Sequence, residues 1–182
     1  MNRFKIKDIV FLALISAVTM CTCAVMPLVI SLQPVVFGIS QAVTCTQISI
    51  FFTIGLCKVE KPGSLFIMAI FMGLVQLLMA PVMFFSTLLI AVVVELLAFL
   101  IFRGFEKKSS LYFSLVLFNL LSLPLNVLYN YFFGKEALFQ VAFKFPLVTV
   151  LMTFLIAALS VLGTFLGVLI CTELKKAGVF RK

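Results

Sequence analysis

The sequence predicts an all-α integral membrane protein with six transmembrane helices, both termini in the cytoplasm and a single membrane domain over residues 1–182. Three observations lead to this fold class. Hydrophobic residues make up 64% of the chain and charged residues 11%, long apolar runs alternate with short polar links, and most basic residues occur in every second link. Such a composition is typical of a protein whose solvent is a lipid bilayer.

Six apolar runs are long enough to cross a bilayer. They cover residues 8–30, 40–57, 64–80, 82–102, 111–132 and 147–172. In lipid a single segment satisfies its own backbone hydrogen bonds only as a helix, so each run is predicted to be helical. The first run is longer than a signal-peptide core, and its removal would leave an odd number of helices, so we expect it to be retained.

The basic residues set the predicted orientation in the cell membrane. Twelve of the 14 Lys and Arg residues lie before the first run, after the last run, or in the second and fourth links: Arg3, Lys5, Lys7, Lys58, Lys61, Arg103, Lys107, Lys108, Lys175, Lys176, Arg181 and Lys182. Only Lys135 and Lys144 fall on the other side. The positive-inside rule therefore predicts a multi-pass protein with cytoplasmic termini. The net charge of +8 then reflects topology, and no basic stripe with interleaved aromatic residues indicates nucleic-acid binding.

Candidates for catalysis are few. The chain has no His, the residue most often used for proton transfer. Cys21 and Cys23 have C-x-C spacing without a nearby His, which does not indicate a zinc site. We therefore expect no enzymatic activity, no metal site and no cofactor.

Glu95 is the one acidic residue deep inside an apolar run. An ionisable group at membrane depth is costly and is a candidate for function. Two interpretations are open. The carboxylate either bonds a neighbouring helix or pairs with a Lys or Arg, or it takes part in ligand binding or proton transfer.

Polar side chains gather in the predicted extracellular half of the bundle. Asn119, Ser122, Asn126, Tyr129 and Asn130 share one side of the fifth helix. The residues that we predict to bind a small-molecule substrate are Gln41, Thr44, Gln47, Gln76, Asn126, Tyr129 and Asn130. Each of them alone could simply join helices by a hydrogen bond. As a set they favour a pocket, because groups that only join helices have no reason to collect at one membrane face.

Two helices carry strips of small residues. The sixth helix contains Gly163 and Gly167 in G-x-x-x-G spacing, which predicts close packing against a helix of the same bundle. The first helix carries Ala13, Ser16 and Ala17 on one side, with few polar groups. This second strip either packs internally or is the interface for a helix of another subunit.

The first helix starts with the basic stretch "RFKIKDIVFLALISAV" and contains the Ala13-x-x-x-Ala17 pair, and two later stretches read "KVEKPGSLFIMAIFMGLVQLLM" and "VVVELLAFLIF". In these features the sequence resembles the substrate-binding S component of energy-coupling factor transporters. The resemblance implies that Ala13 and Ala17 dock on a membrane coupling subunit that carries two cytoplasmic ATPases. It also implies a vitamin or related micronutrient as the substrate, bound near the extracellular end. In agreement, the chain has no P-loop motif of its own.

Two other hypotheses compete with this function. A self-sufficient carrier or channel would continue the polar stripe of the fifth helix as a pore, but the polar groups concentrate in the outer half and no inverted repeat is visible. A scaffold or a membrane enzyme is the third possibility. The clustered amides argue against the scaffold, and the missing His and the isolated carboxylate argue against the enzyme.

Overall fold

The computed structural model describes residues 4–23, 37–78, 81–105, 107–132 and 145–178, with the backbone alone for residues 129, 130 and 132. This part of the chain forms six helices and no strand. They are α1 Ile6–Thr22, α2 Ile39–Lys58, α3 Ser64–Leu77, α4 Pro81–Phe102, α5 Lys108–Phe132 and α6 Pro146–Lys176. The six predicted helices are thus confirmed as helices. Residues 24–30 and 79–80 of the predicted runs lie outside the described residues.

Four of the described helices are long and apolar enough to cross a membrane. They comprise Ile39–Lys58, Pro81–Phe102, Lys108–Leu128 and Pro146–Lys176. Helix α3 has 14 residues, so at about 1.5 Å per residue it is shorter than a bilayer core of about 30 Å. Helix α1 has 17 residues. The structure therefore agrees with a multi-pass integral membrane protein, and the crossing of the bilayer by all six helices stays a prediction.

Helices α3 and α4 run antiparallel. Near the start of α3, the Phe66 N–H donates to Glu95 Oε2 at 2.9 Å, and Glu95 lies towards the end of α4. At the other end of the pair, Thr87 Oγ1 donates to Gln76 Oε1 at 2.6 Å. The two hydrogen bonds therefore fix the register of α3 against α4.

Helix α1 runs parallel to α3. Asp8 pairs with Lys61 at 2.7 Å just before α3 begins, and Ser16 Oγ donates to the Met68 carbonyl at 3.1 Å two turns further along. The aromatic ring of Phe4 also lies under the Lys61 ammonium, 5.5 Å from nitrogen to ring centre. These contacts hold the start of α1 against the link between α2 and α3.

All the described charged side chains lie towards one end of the bundle, where α1, α3 and α5 begin and α2, α4 and α6 end. We name it the charged end. Its residues are Lys5, Lys7, Asp8, Lys58, Glu60, Lys61, Glu95, Arg103, Lys107, Lys108, Glu173, Lys175 and Lys176. Within the described ranges the opposite end carries no charged residue. The charge separation along the helix axes therefore follows the pattern predicted from the sequence.

Helix α2 is central, and it packs against α1, α3, α5 and α6. Its contact with α6 depends on the two glycines of the G-x-x-x-G motif. A Cβ added at Gly163 would lie 2.6 Å from the Thr46 carbonyl oxygen, and one at Gly167 would lie 2.6 Å from Thr53 Cβ. Only hydrogen fits at these two positions, so the backbones of α2 and α6 approach closely. The predicted partner of this motif, a helix of the same bundle, is confirmed.

Replacing Gly167 by Leu tests this packing. The new side chain meets the backbone of Ile50 as well as Thr53, so we expect a loss of about 1–3 kcal/mol of unfolding free energy from overpacking. Thermal unfolding of the detergent-purified protein measures the change. The matched control is Ala158→Leu, which adds a leucine at an exposed position of the same helix. Equal melting temperatures for the two variants would contradict the close packing.

Candidate functional site

Five of the seven residues predicted to bind a substrate have described side chains. Gln41, Thr44 and Gln47 lie in the first half of α2, Gln76 lies near the end of α3, and Asn126 lies near the end of α5. These positions share the end of the bundle opposite the charged end. The side chains of Tyr129 and Asn130, the other two predicted residues, lie outside the described part of the chain.

Two of the predicted amides join neighbouring helices. Gln76 accepts the hydrogen bond from Thr87 on α4 at 2.6 Å, and Gln47 Oε1 accepts from the Cys23 thiol at 3.5 Å, just beyond the end of α1. Each amide uses its carbonyl oxygen as the acceptor in these contacts. Its NH₂ group is a hydrogen-bond donor by chemistry, so the amides can serve both packing and ligand recognition.

The remaining predicted residues differ in exposure. Thr44 is buried, and its hydroxyl donates to the Ser40 carbonyl at 2.9 Å within α2. Gln41 is half-buried and accepts from Ser40 Oγ at 2.9 Å. Asn126 on α5 is also half-buried. The half-buried amides of Gln41 and Asn126 are therefore more accessible to a ligand than the buried hydroxyl of Thr44.

A buried polar junction lies deeper in the bundle, around Asn119 of α5. Its amide nitrogen lies 2.9 Å from Ser49 Oγ of α2 and 3.0 Å from Ser160 Oγ of α6. The nitrogen also lies 3.5 Å from the Cys45 carbonyl oxygen. Asn119 is 4% exposed, and both serines are fully buried. The amide therefore bonds two neighbouring helices at once, which is the helix-joining role that the sequence left open for a single polar residue.

Glu95 caps the first turn of α3 from the neighbouring helix α4. Its carboxylate accepts hydrogen bonds from the backbone N–H groups of Gly63 and Phe66. Gly63 has a φ of 97°, a left-handed backbone conformation that favours glycine. The first turn of a helix leaves backbone donors unpaired and carries partial positive charge, so a carboxylate is stabilised there. The contacts agree with the interpretation of Glu95 as a residue that bonds a neighbouring helix.

The small strip on α1 divides between the inside and the outside of the bundle. Ser16 is 1% exposed, and its hydroxyl donates inwards to the Met68 carbonyl. Ala13 is half-buried and Ala17 is exposed. Ser16 and Ala17 are consecutive residues, about 100° apart around the helix, and the hydrogen bond to Met68 shows that the Ser16 side faces α3. Ser16 therefore packs inside the bundle, while Ala17 lies on the outer side.

Ala17 belongs to an apolar face that the described residues of this chain leave uncovered. We name it the α1 outer face, and its exposed residues are Ile6, Ile9, Val10, Leu14, Ala17, Val18 and Cys21. In a bilayer such a face contacts lipid or a helix of another protein. Near the middle of the α1 outer face, the small side chain of Ala17 protrudes less than its larger neighbours, and Ala13 lies at the margin of the same area.

Removal of the Glu95 carboxylate tests the cap on α3. Glu95→Ala leaves two partly buried backbone donors unpaired, which we expect to cost about 1–3 kcal/mol of unfolding free energy. Glu95→Gln keeps one acceptor oxygen and should lose less. Thermal unfolding orders the variants, with Glu173→Ala as the control, because Glu173 is exposed and its ion pair among the described residues is with Lys176, three residues on. A Glu95→Ala variant as stable as the control would refute the capping role.

Comparison with known proteins gives one match. The family model described as "hypothetical bacterial integral membrane protein (Trep_Strep)" matches residues 6–177, which is nearly the whole chain. No curated protein and no solved structure matches the sequence. The match extends from the first residue of α1 to the residue after α6. The chain therefore belongs to this family of bacterial integral membrane proteins.

Proposed function

We propose that this protein is the substrate-capture subunit of an energy-coupling factor importer. It binds a vitamin or related micronutrient from the extracellular side and delivers it together with a membrane coupling subunit and two cytoplasmic ATPases. The proposal is in keeping with a bacterial integral membrane protein. The observation that carries it is the separation of charge and amide groups between the two ends of the helix bundle.

The charged end supports a cytoplasmic location for both termini. Nine of the 13 described charged residues there are Lys or Arg, and the other four are Asp8, Glu60, Glu95 and Glu173. Lys and Arg next to membrane helices are retained on the cytoplasmic side. The amides of Gln41, Gln47 and Asn126 then face the extracellular side, where an importer meets its substrate.

The α1 outer face supports a helical partner in the membrane. Helix association in lipid depends on close packing, which small residues permit. Ala17 is exposed and Ala13 half-buried, so a partner helix can approach α1 there without displacing a side chain of this protein. Ser16 is buried and does not form part of the exposed surface of this proposed interface. Its hydroxyl instead holds α1 against α3.

The test is a steric block of the α1 outer face. In the double variant Ala13→Trp/Ala17→Trp two indole rings fill the low part of the face, so we expect the coupling subunit and the ATPases to be lost from affinity-purified material. Native mass spectrometry of the same preparation should still detect the bound small molecule, because the amides lie at the other end of the bundle.

The matched control is Ala158→Trp, which adds an indole at an exposed position of α6. Copurification of the coupling subunit with the double variant at the level of this control would contradict the proposed interface. Uptake of a small molecule by the purified chain alone, in liposomes without ATP, would contradict the whole proposal and favour a self-sufficient carrier.

A further inference from the structure

Two cysteines face each other where α2 and α6 reach the charged end. Cys57 lies one turn beyond Thr53, and Cys171 lies one turn beyond Gly167. Residues four apart on a helix share a face. Because Gly167 lies against Thr53 with no space for a side chain, the next turn brings Cys57 and Cys171 together across two closely spaced backbones.

The side chains of Cys57 and Cys171 border one common cavity between the two helices. Both cysteines are free, Cys57 is half-buried and Cys171 is 2% exposed. A disulfide needs Cα atoms about 4.4–6.8 Å apart and side chains directed at each other. The backbones of α2 and α6 are in glycine-mediated contact one turn earlier, and both thiols border one cavity, so the pair comes closer to these conditions than cysteines on helices separated by large side chains.

A cavity gives small molecules access to the pair. It has a volume of about 110 Å³, and both cysteines line it together with Glu60, Lys108 and Lys175. A water molecule needs about 10–15 Å³ of such volume, so hydrogen peroxide, which is only slightly larger, fits. The Glu60 and Lys175 side chains, which pair at 3.4 Å, are 39% and 51% exposed. The cavity therefore borders the aqueous side of the charged end.

We propose that Cys57 and Cys171 form a peroxide-sensitive thiol pair that is reversibly oxidised to a disulfide joining α2 to α6. One thiol attacks the peroxide O–O bond, which yields a sulfenic acid and one water molecule. The second thiol then displaces the hydroxyl from that sulfur, which forms the S–S bond and releases a second water. The two cysteines together lose two protons and two electrons, and the peroxide is reduced to two molecules of water.

The other described cysteines have different surroundings. The Cys23 thiol donates to the Gln47 side chain, the Cys45 thiol donates to the Ala42 carbonyl, and Cys21 lies on the α1 outer face. In a reducing compartment a disulfide at Cys57 and Cys171 would form only under oxidant and would be removed by cellular thiols. The inference does not depend on the proposed transport function, since it concerns a contact between two helices of this chain.

Intact-mass spectrometry of the purified full chain tests the proposal. The variant Cys21→Ser/Cys23→Ser/Cys45→Ser keeps only the pair. Hydrogen peroxide should lower its mass by two hydrogen atoms, remove both thiols from reaction with maleimide, and leave a monomer on a non-reducing gel. Dithiothreitol should restore the two maleimide adducts. The matched control Cys21→Ser/Cys45→Ser/Cys57→Ser keeps two cysteines that do not touch, Cys23 and Cys171, and should show no loss of two hydrogens.

The native chain gives a second measurement in case the serine variants do not fold. After oxidation and proteolysis, the peptides that contain Cys57 and Cys171 should be recovered as one disulfide-linked species. The proposal is overturned if peroxide only adds oxygen to the pair, if the disulfide forms between two chains, or if both thiols stay open to maleimide at peroxide levels that oxidise free cysteine.

Discussion

The amide of Asn119 imposes the constraint on which the interior of this bundle depends. A buried amide that lacks hydrogen-bond partners is costly, and lipid offers none. Asn119 finds them on two other helices, at Ser49 of α2 and Ser160 of α6. Both serines can reach one amide only because the glycines of α6 let that helix lie against the backbone of α2. Close packing and the polar junction therefore require each other.

A second group of polar contacts holds the other helices together at the charged end. Glu95 of α4 caps α3, and the pair of Asp8 with Lys61 holds α1 beside the same turn. The Glu95 carboxylate thereby pairs backbone N–H groups at the start of α3, a helix of 14 residues. Among the described residues, all three ion pairs lie at the charged end, and none lies at the opposite end of the bundle or on the α1 outer face. Those are the two regions to which the proposed function assigns ligand and partner.

Local sequence signals were sufficient for the helices and for one packing partner. The apolar runs located the six described helices. The spacing of Gly163 and Gly167 predicted a close contact within the bundle, because glycine has no side chain and so permits any neighbouring helix to approach its backbone. Periodicity alone did not show where the buried side of α1 ends, because Ser16 and Ala17 are about 100° apart around the helix and the boundary between the buried and exposed sides falls between them. The described helices α1 and α3, with 17 and 14 residues, are shorter than the apolar runs from which their membrane crossing was predicted.

The candidate site was predicted less completely. Sequence placed the amides of Gln41, Gln47, Gln76 and Asn126 at one end, but the partners of Gln47 and Gln76 lie outside their own helices and follow only from tertiary packing. The same holds for Glu95, whose acceptor role needs the turn at Gly63 beside it. Cys57 and Cys171 are 114 residues apart in the chain, and no local pattern connects them. Their contact follows from the register that the glycines set between α2 and α6.

A double-mutant cycle on Asn119 and Ser160 tests the central claim most directly. Unfolding free energies are measured in detergent for Asn119→Ala, Ser160→Ala and the double variant. If one amide joins α5 to α6, the two changes are not additive, and the coupling energy is about 0.5–2 kcal/mol, the range for contacting residues and for hydrogen bonds inside membranes. Strict additivity of the two single losses would contradict the account.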